Sequence, residues 1–200
     1  MKLRGSKSRS IVHNLPVPVS PANDDAPSTS LTVWKKSLLY CCTGFTVIGP
    51  NGDLLYRVDN YSDKPNNIVL MDKTGKSIAT IIRRDRTFWS AYQGDDEMST
   101  EICSVKKQST SILNAKTNII ALVFVGGTRT CETASYWVEG SYAARSCKVY
   151  DQSRRVVCEI KTKENGNVKF GDEVFQLVLG SGIDGVVAMV LVLILDQMFQ

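Results

Sequence analysis

The sequence predicts a mainly β protein in which an antiparallel barrel closes around a hydrophobic C-terminal α-helix. Three observations predict it. Short segments rich in Val, Ile, Thr and aromatic residues fill residues 31–179 and are separated by Gly, Asn, Asp and Pro, which is typical of strands and turns. A hairpin-like unit recurs three times among these segments. Close to the C-terminus stand ten consecutive apolar residues, Val186 to Leu195, which must be covered on every face if they form a helix.

The first 30 residues differ from the rest in composition. They are rich in Ser, Pro and Asn and poor in large apolar residues, so we expect a disordered tail over 1–30 and a folded domain over 31–200. The start is basic, but Pro16, Pro18 and Pro21 interrupt the apolar stretch of a secretory signal. We therefore expect an intracellular protein whose six cysteines remain thiols.

Ten segments of the domain have the composition of β-strands. They are Thr46–Ile48, Leu54–Val58, Ile68–Met71, Ile78–Ile82, Phe88–Tyr92, Ile119–Val125, Tyr136–Val138, Cys147–Tyr150, Val156–Ile160 and Val174–Leu179. No long helical periodicity precedes residue 183. The body of the domain is therefore expected to be all β, with one helix at its end.

The repeated unit suggests how these strands are arranged. Val47–Val58, Leu70–Ile81 and Val149–Ile160 align without gaps, and each runs from an apolar pair through a short turn into a strand. Such units are β-hairpins. The turns are centred on Asn51-Gly52, Thr74-Gly75 and Ser153-Arg154. A series of hairpins that closes on itself leaves no exposed edge strand and provides an interior for the apolar helix.

The apolar run is too short to span a membrane as a helix. From Gly185 to Phe199 a helix reaches roughly 22 Å, against about 30 Å of hydrocarbon. Inside a protein, the run would contribute about 15–25 kcal/mol of gross burial energy. A fully buried strand also fits, because periodicity does not separate the two structures. The turn residues 182–185, with Ser181 or Asp184 as N-cap, favour a helix over about 184–198.

Residues that support catalysis or metal binding are scarce in the domain. The single histidine, His13, lies in the tail. A Ser or Cys nucleophile in the domain would therefore lack its usual base, and zinc would lack clustered Cys and His ligands. The acidic stretch Asp95, Asp96 and Glu97 follows Gly94 among polar residues and is typical of a solvated loop. We therefore expect a non-enzymatic protein without a metal or cofactor.

Three further aspartates are assigned to turns. Asp72 and Asp151 occupy the same position of the hairpin repeat, where a carboxylate can accept hydrogen bonds from backbone N–H groups of the turn. Asp59, which precedes Asn60, is expected to have a similar role. These carboxylates are therefore interpreted as structural residues.

The basic residues supply the candidate binding site. A net charge of +4 for the chain is too small to indicate nucleic-acid binding. Several Arg and Lys residues occur in groups, and the pair Lys106-Lys107 lies at a strand end. Each group is either a solvated edge that discourages aggregation or part of a phosphate-binding patch for anionic lipid head groups. The candidate residues are Lys35, Lys36, Arg83, Arg84, Arg86, Arg154, Arg155, Lys161 and Lys163.

Several segments, in order along the chain, resemble the plant LURP-one-related family. They are LTVWKKSLL (31–39), GFTVIGPNGDLLYRVDNY (44–61), IVLMDKTGKSIATIIRR (68–84), YWVEGSYAARSCKVYD (136–151), VVCEIKTKE (156–164), FGDEVFQLVL (170–179) and AMVLVLILDQMF (188–199). That family is similar in fold to the tubby C-terminal domain and to phospholipid scramblases. The resemblance implies a closed antiparallel barrel of about 12 strands that encloses a hydrophobic C-terminal helix.

The resemblance also sets the functional expectations. It implies no defined biochemical role, but a helix-filled barrel with grouped basic residues favours a membrane-surface module for anionic lipid, including phosphoinositides, or a protein-interaction module. The name-giving member of the family is linked to plant defence. A membrane-tethered transcriptional regulator of the tubby type and scramblase-like lipid transport are the alternatives, although no lipid or calcium residue of those proteins matches here. We expect a monomer in the cytoplasm, peripheral at the plasma membrane or in the nucleus, with anionic lipid and an unidentified protein as partners.

Overall fold

The computed structural model describes residues 28–40, 42–60, 67–108, 118–126, 133–166 and 168–199. The tail that we expect to be disordered, residues 1–30, lies almost entirely outside them. The strands are β1 (Thr29–Trp34), β2 (Thr43–Ile48), β3 (Leu54–Asn60), β4 (Asn67–Asp72), β5 (Ser77–Arg83), β6 (Phe88–Gln93), β7 (Glu101–Lys107), β8 (Ile119–Val125), β9 (Tyr136–Ser141), β10 (Ser146–Asp151), β11 (Val156–Thr162), β12 (Glu164–Asn165), β13 (Val168–Lys169) and β14 (Val174–Leu179). One helix, α1 (Gly185–Met198), follows them.

Twelve of these strands form a closed antiparallel barrel. Their order around the barrel is β1-β14-β11-β10-β9-β8-β7-β6-β5-β4-β3-β2, and β2 pairs with β1 to close it. The short strands β12 and β13 form a separate hairpin between β11 and β14. The predicted fold class, an antiparallel barrel of about 12 strands with a C-terminal helix, is confirmed.

All ten predicted strand segments lie in strands of the barrel, and β1 and β7 complete it. These two strands have weaker sequence signals. In β7, Cys103 and Val105 face the core, but the strand begins with Glu101 and ends with two lysines. Because only two of its seven side chains are both apolar and fully buried, composition alone does not separate β7 from a polar loop.

The aspartates at the repeat position hold two hairpin turns in place, as predicted. Asp72 accepts the N–H of Thr74 at 2.8 Å, and Asp151 accepts the N–H groups of Ser153 and Arg155, both at 2.9 Å. The Thr74 hydroxyl lowers the pKa of Asp72, while the Arg155 N–H lowers that of Asp151. Both carboxyls therefore favour the ionised form that accepts these bonds.

Helix α1 fills the barrel. It begins at the N-cap Asp184, whose carboxylate accepts the N–H of Val186 at 2.8 Å. From Val187 to Asp196 every residue is buried, against inward-facing side chains such as Leu70, Phe175 and Leu177. The helix interpretation of the apolar run is confirmed, and the alternative of a buried strand is wrong. Among the described helices, none is long and apolar enough to cross a membrane.

Candidate functional site

We call the end of the barrel at which α1 terminates the lower end. It consists of described residues at or beyond the ends of the barrel strands there, the β12–β13 hairpin, and the last turn of α1. These are residues 35–40, 83–87, 106–108, 142–145, 163–166, 168–173 and 196–199. The opposite end, where α1 begins, is called the upper end. Its described connections include 49–53, 72–76, 94–101, 151–155 and 180–184.

The last turn of α1 is fixed to the lower end by side chains from two strands. The indole N–H of Trp89 donates to the Gln197 side-chain carbonyl at 2.9 Å. The ammonium of Lys107 donates to the Met198 backbone carbonyl at 2.7 Å and lies 4.7 Å from the centroid of the Phe199 ring. A cation at this position stabilises the negative end of the helix dipole and satisfies a carbonyl that has no partner within the helix.

Asp196 brings a buried carboxylate to the same end. It forms an ion pair with Lys35 at 2.9 Å, and the Tyr142 hydroxyl donates to it at 3.3 Å. Burial and the nearby charge of Asp196 raise the pKa of Tyr142, so this hydroxyl stays protonated and remains a donor. Lys35 therefore has a structural role, because a buried carboxylate left without its cation is costly.

Arg145 adds a buried cation beside this network. Its guanidinium lies 4.3 Å from the ring centroids of both Tyr142 and Phe175. Its Nε donates to the Asp172 carbonyl at 2.9 Å. The two aromatic rings and the carbonyl replace water around the charge. Arg145 thus stabilises the connection between β9 and β10 and is poorly placed to meet a ligand.

A cavity of about 760 Å³ opens beside the last turn of α1. Lys35, Lys36, Asp196 and Gln197 line it, together with residues of β2 and β3 and Glu173. The Lys36 ammonium lies 5.4 Å from the centroid of the Trp34 ring, which orients it without a carboxylate. The cavity therefore combines cations with carboxylates and is not uniformly positive.

Residues 35–40, which carry both lysines, are attached to the outer wall by Asp59. The Ser37 hydroxyl donates to Asp59, and Arg57 forms an ion pair with the same carboxylate at 2.5 Å. The predicted turn role of Asp59 is wrong: it lies within β3, and its side chain is fully buried. The segment covers this outward-facing carboxylate, which a local sequence pattern does not reveal.

The three arginines near the end of β5 do not converge. Arg83 packs against Trp89, with 5.3 Å between its guanidinium and the ring centroid. Arg84 instead donates to the Tyr92 hydroxyl at 2.8 Å and lies 3.5 Å from Glu97. Arg86 is exposed on the turn between β5 and β6. Arg83 and Arg86 thus belong to the lower end, whereas the Arg84 guanidinium is turned away along the wall.

The other predicted residues are dispersed and paired. Arg154 and Arg155 lie at the upper end, 2.7 Å from Glu139 and Asp151 respectively. Lys161 lies on the wall, 2.6 Å from Glu159, in a second cavity of about 550 Å³. Lys163 donates to the Thr32 hydroxyl at 2.7 Å. The nine candidates therefore do not form one patch. Lys35, Lys36, Arg83 and Arg86 lie at the lower end on two separate connections. Arg84 and Lys163 begin at the same end but direct their charged groups along the wall.

Charge is distributed unequally between the two ends of the barrel. In the lower-end residues defined above, ten Lys and Arg residues accompany five carboxylates; the ten include Arg84 and Lys163, whose charged groups lie along the wall. In the upper-end connections defined above, eight carboxylates accompany four Lys and Arg residues. Both counts refer only to residues that the structure describes. In the described residues, formal charge is therefore unequal along the barrel axis, with the positive excess where α1 ends.

Sequence reasoning missed Lys107 as a candidate and did not assign Asp196 to the site. In the sequence, Lys107 is visible only as one member of a lysine pair. Its hydrogen-bond acceptor, the Met198 carbonyl, is far away in sequence, so no local pattern indicates the contact. Asp196 follows the apolar run directly. A carboxylate that continues a fully apolar helix must meet a buried partner, and this was the available signal.

The buried thiols are poor nucleophiles. Burial raises the pKa of Cys103, Cys147 and Cys158 to about 12, so the reactive thiolate is scarce at neutral pH. Cys42 is half-buried, and Cys41 and Cys131 lie outside the described residues. Within the described ranges, no group of three His, Cys, Asp or Glu side chains is placed to hold a metal ion.

A closed antiparallel barrel filled by its own C-terminal helix defines the structural class of this protein. The chain belongs to the LURP-one-related family, because its residues 29–196 match the model of that family. The family predicted from the sequence is thereby confirmed.

Individual relatives agree with this assignment. LURP-one-related protein 17 of Arabidopsis thaliana is 42% identical over 199 residues, covering 92% of this chain and 89% of that protein. LURP-one-related protein 8 of the same plant is 42% identical over 185 residues, covering 88% and 90%. An X-ray structure of an Arabidopsis thaliana protein has a TM-score of 0.63 at 22% identity and covers 86% of this chain and 92% of that one. This last similarity shows the shared fold.

Proposed function

We propose that this protein is a membrane-surface module that binds anionic lipid through the lower end of its barrel. The unequal distribution of charge between the two ends is the observation that carries the proposal. An anionic surface attracts the lower end and repels the upper end. The barrel would therefore approach with its lower end, where α1 terminates, facing the membrane. Local attraction of this kind acts within about 8 Å at physiological salt.

Four cations of the lower end are suited to meet lipid phosphate. Among the described residues, Lys36, Arg83, Arg86 and Lys107 form no ion pair with a carboxylate, although the charge of Arg83 acts on the neighbouring Asp85. Arg83 and Lys36 are held against indole rings, which limits their conformational freedom without neutralising them. At about 1 kcal/mol for each basic residue near an anionic membrane, four contribute about 4 kcal/mol.

The geometry favours attraction to anionic lipid in general over one head-group pocket. Lys35 is already paired with Asp196, and Glu173 also lines the adjoining cavity. A polyphosphate head group entering it would therefore meet carboxylates as well as lysines. Phosphatidylserine and phosphoinositide surfaces of equal charge should accordingly bind with similar affinity.

Charge reversal at the two ends tests the proposal. The variant Lys36→Glu/Arg83→Glu/Arg86→Glu should lose flotation with phosphatidylserine vesicles. The control Lys73→Glu/Lys76→Glu/Lys148→Glu changes the net charge equally, but its residues lie at the upper end and on the wall, so it should keep most of its binding. Equal loss in both variants would mean that only net charge matters and would overturn the proposed orientation.

A further inference from the structure

We propose that exposed apolar side chains at the lower end enter the interfacial region of the bilayer and add a salt-resistant component to membrane binding. This inference rests on the proposed function, because the cations must first bring the lower end to an anionic surface. The side chains, which we call the apolar tips, are Leu38, Tyr40, Val168, Phe170 and Phe199.

The apolar tips are concentrated at one end. In the described part of the chain, eight large apolar side chains are exposed, and five of them are the apolar tips. They come from the β1–β2 connection, the β11–β14 connection and the end of α1. The other three, Met98, Val125 and Val156, lie at the upper end among its carboxylates. An anionic surface would therefore meet the apolar tips and not these three residues.

The segment that carries Leu38 and Tyr40 is held in place before any membrane is present. The Thr46 hydroxyl donates to the Lys36 carbonyl at 2.8 Å. The Leu39 N–H donates to the Ser37 hydroxyl at 3.0 Å, and that hydroxyl is in turn bound to the buried Asp59. A pre-ordered segment loses little conformational entropy on insertion.

The connection that carries Val168 and Phe170 is similarly braced. The Phe170 N–H donates to the Lys163 carbonyl at 2.9 Å, and Lys169 lies 3.3 Å from Glu164 across the β12–β13 hairpin. The two connections also touch, since the Lys35 N–H donates to the Glu173 carbonyl at 2.7 Å. Four of the apolar tips thus belong to two connections that contact each other at the lower end.

Cations accompany the apolar tips closely. Lys36 is two residues from Leu38, Lys169 precedes Phe170, and the Lys107 ammonium lies 4.7 Å from the Phe199 ring centroid. This arrangement places apolar groups in the acyl boundary while the charges remain at lipid phosphates. The apolar tips are separate projections, which a fluid bilayer accommodates without a complementary shape. Both properties favour a lipid surface over a protein partner.

The test compares two triple variants at two salt concentrations. Leu38→Ser/Tyr40→Ser/Phe170→Ser removes three apolar tips, whereas Met98→Ser/Val125→Ser/Val156→Ser removes the three exposed apolar residues of the upper end. Full-length proteins are mixed with phosphatidylserine vesicles, and the bound fraction is measured by flotation. The upper-end variant should bind as the wild type does at both salt concentrations. The apolar-tip variant should bind more weakly, by about tenfold in partition coefficient per side chain, with the difference clearest at high salt.

The outcomes separate this inference from the proposed function. If the apolar-tip variant matches the wild type at both salt concentrations while the charge-reversed variant fails, the inference is overturned and the proposed function stands. If the wild type does not bind at low salt, both are overturned, and an interaction with protein becomes the better account of this surface. Circular dichroism of each variant controls for misfolding.

Discussion

At the scale of single residues, the buried carboxylate of Asp59 shows why local sequence is a poor guide to this site. An aspartate before an asparagine is typical of a turn, yet Asp59 lies in β3 and binds Arg57 and Ser37. Its role depends on the β1–β2 connection folding over it. The two Asp residues of the repeat, by contrast, bind N–H groups within four residues, so their roles are predictable.

The Asp59→Ala substitution should lower the free energy of unfolding by about 3 kcal/mol, because it leaves a partly buried arginine without this carboxylate. It should also release residues 35–40 and speed tryptic cleavage after Lys36. Urea denaturation and limited proteolysis measure the two effects. Asp95→Ala, at an exposed position, serves as the control and should change stability by less than about 0.5 kcal/mol. Equal stability of the two variants would contradict this role of Asp59.

The buried thiols predict a loss of stability at alkaline pH. Cys103 has a pKa of about 12 in the folded protein, against about 8.5 for an unperturbed thiol. Since the folded-state pKa is the higher one, the stabilisation is complete below about pH 8.5 and is lost as pH rises towards 12. Between pH 8 and 10, the wild type should lose about 2 kcal/mol more than Cys103→Ala in urea denaturation. An identical pH dependence would refute this interpretation.

At the scale of elements, the helix was predictable because ten consecutive apolar residues must be enclosed, whereas β7 was not. Strands of a barrel need only every second side chain to be apolar, so the two inward side chains Cys103 and Val105 are sufficient for β7. The neighbouring strands β6 and β8 supply the remaining hydrogen bonds. Pairing partners, more than composition, make β7 a strand.

The central position of α1 gives a direct test against the scramblase-like alternative. Val190 is completely buried inside the barrel. Val190→Asp places a charge in that interior, so the variant should fail to fold and should lose near-UV circular dichroism. A helix that leaves the barrel to enter a membrane would instead give a folded barrel that no longer binds vesicles. A folded variant would therefore contradict the enclosed position of α1.

At the scale of the whole molecule, the closed barrel and its family were predictable from sequence, and the site was predictable only in part. Alternating apolar residues and repeated turns are local patterns, so they can be recognised in the sequence. Whether a cation is free depends on the register of distant strands. Arg154 meets Glu139 because β9 pairs with β10, and Lys35 meets Asp196 because α1 ends beside β1. Six of the nine candidates therefore begin at the lower end, but Arg84 and Lys163 direct their charged groups along the wall, to Tyr92 and Thr32.

Flotation of the wild-type protein tests the central claim most directly, that the lower end binds anionic lipid without selecting one head group. Three vesicle preparations are compared: neutral phosphatidylcholine, phosphatidylserine, and a phosphoinositide at matched total charge. The account predicts similar binding to the two charged preparations and little to the neutral one. Binding to the phosphoinositide vesicles alone would contradict the proposed surface attraction and indicate a head-group pocket. Absence of binding to both charged preparations would contradict the membrane-surface function itself.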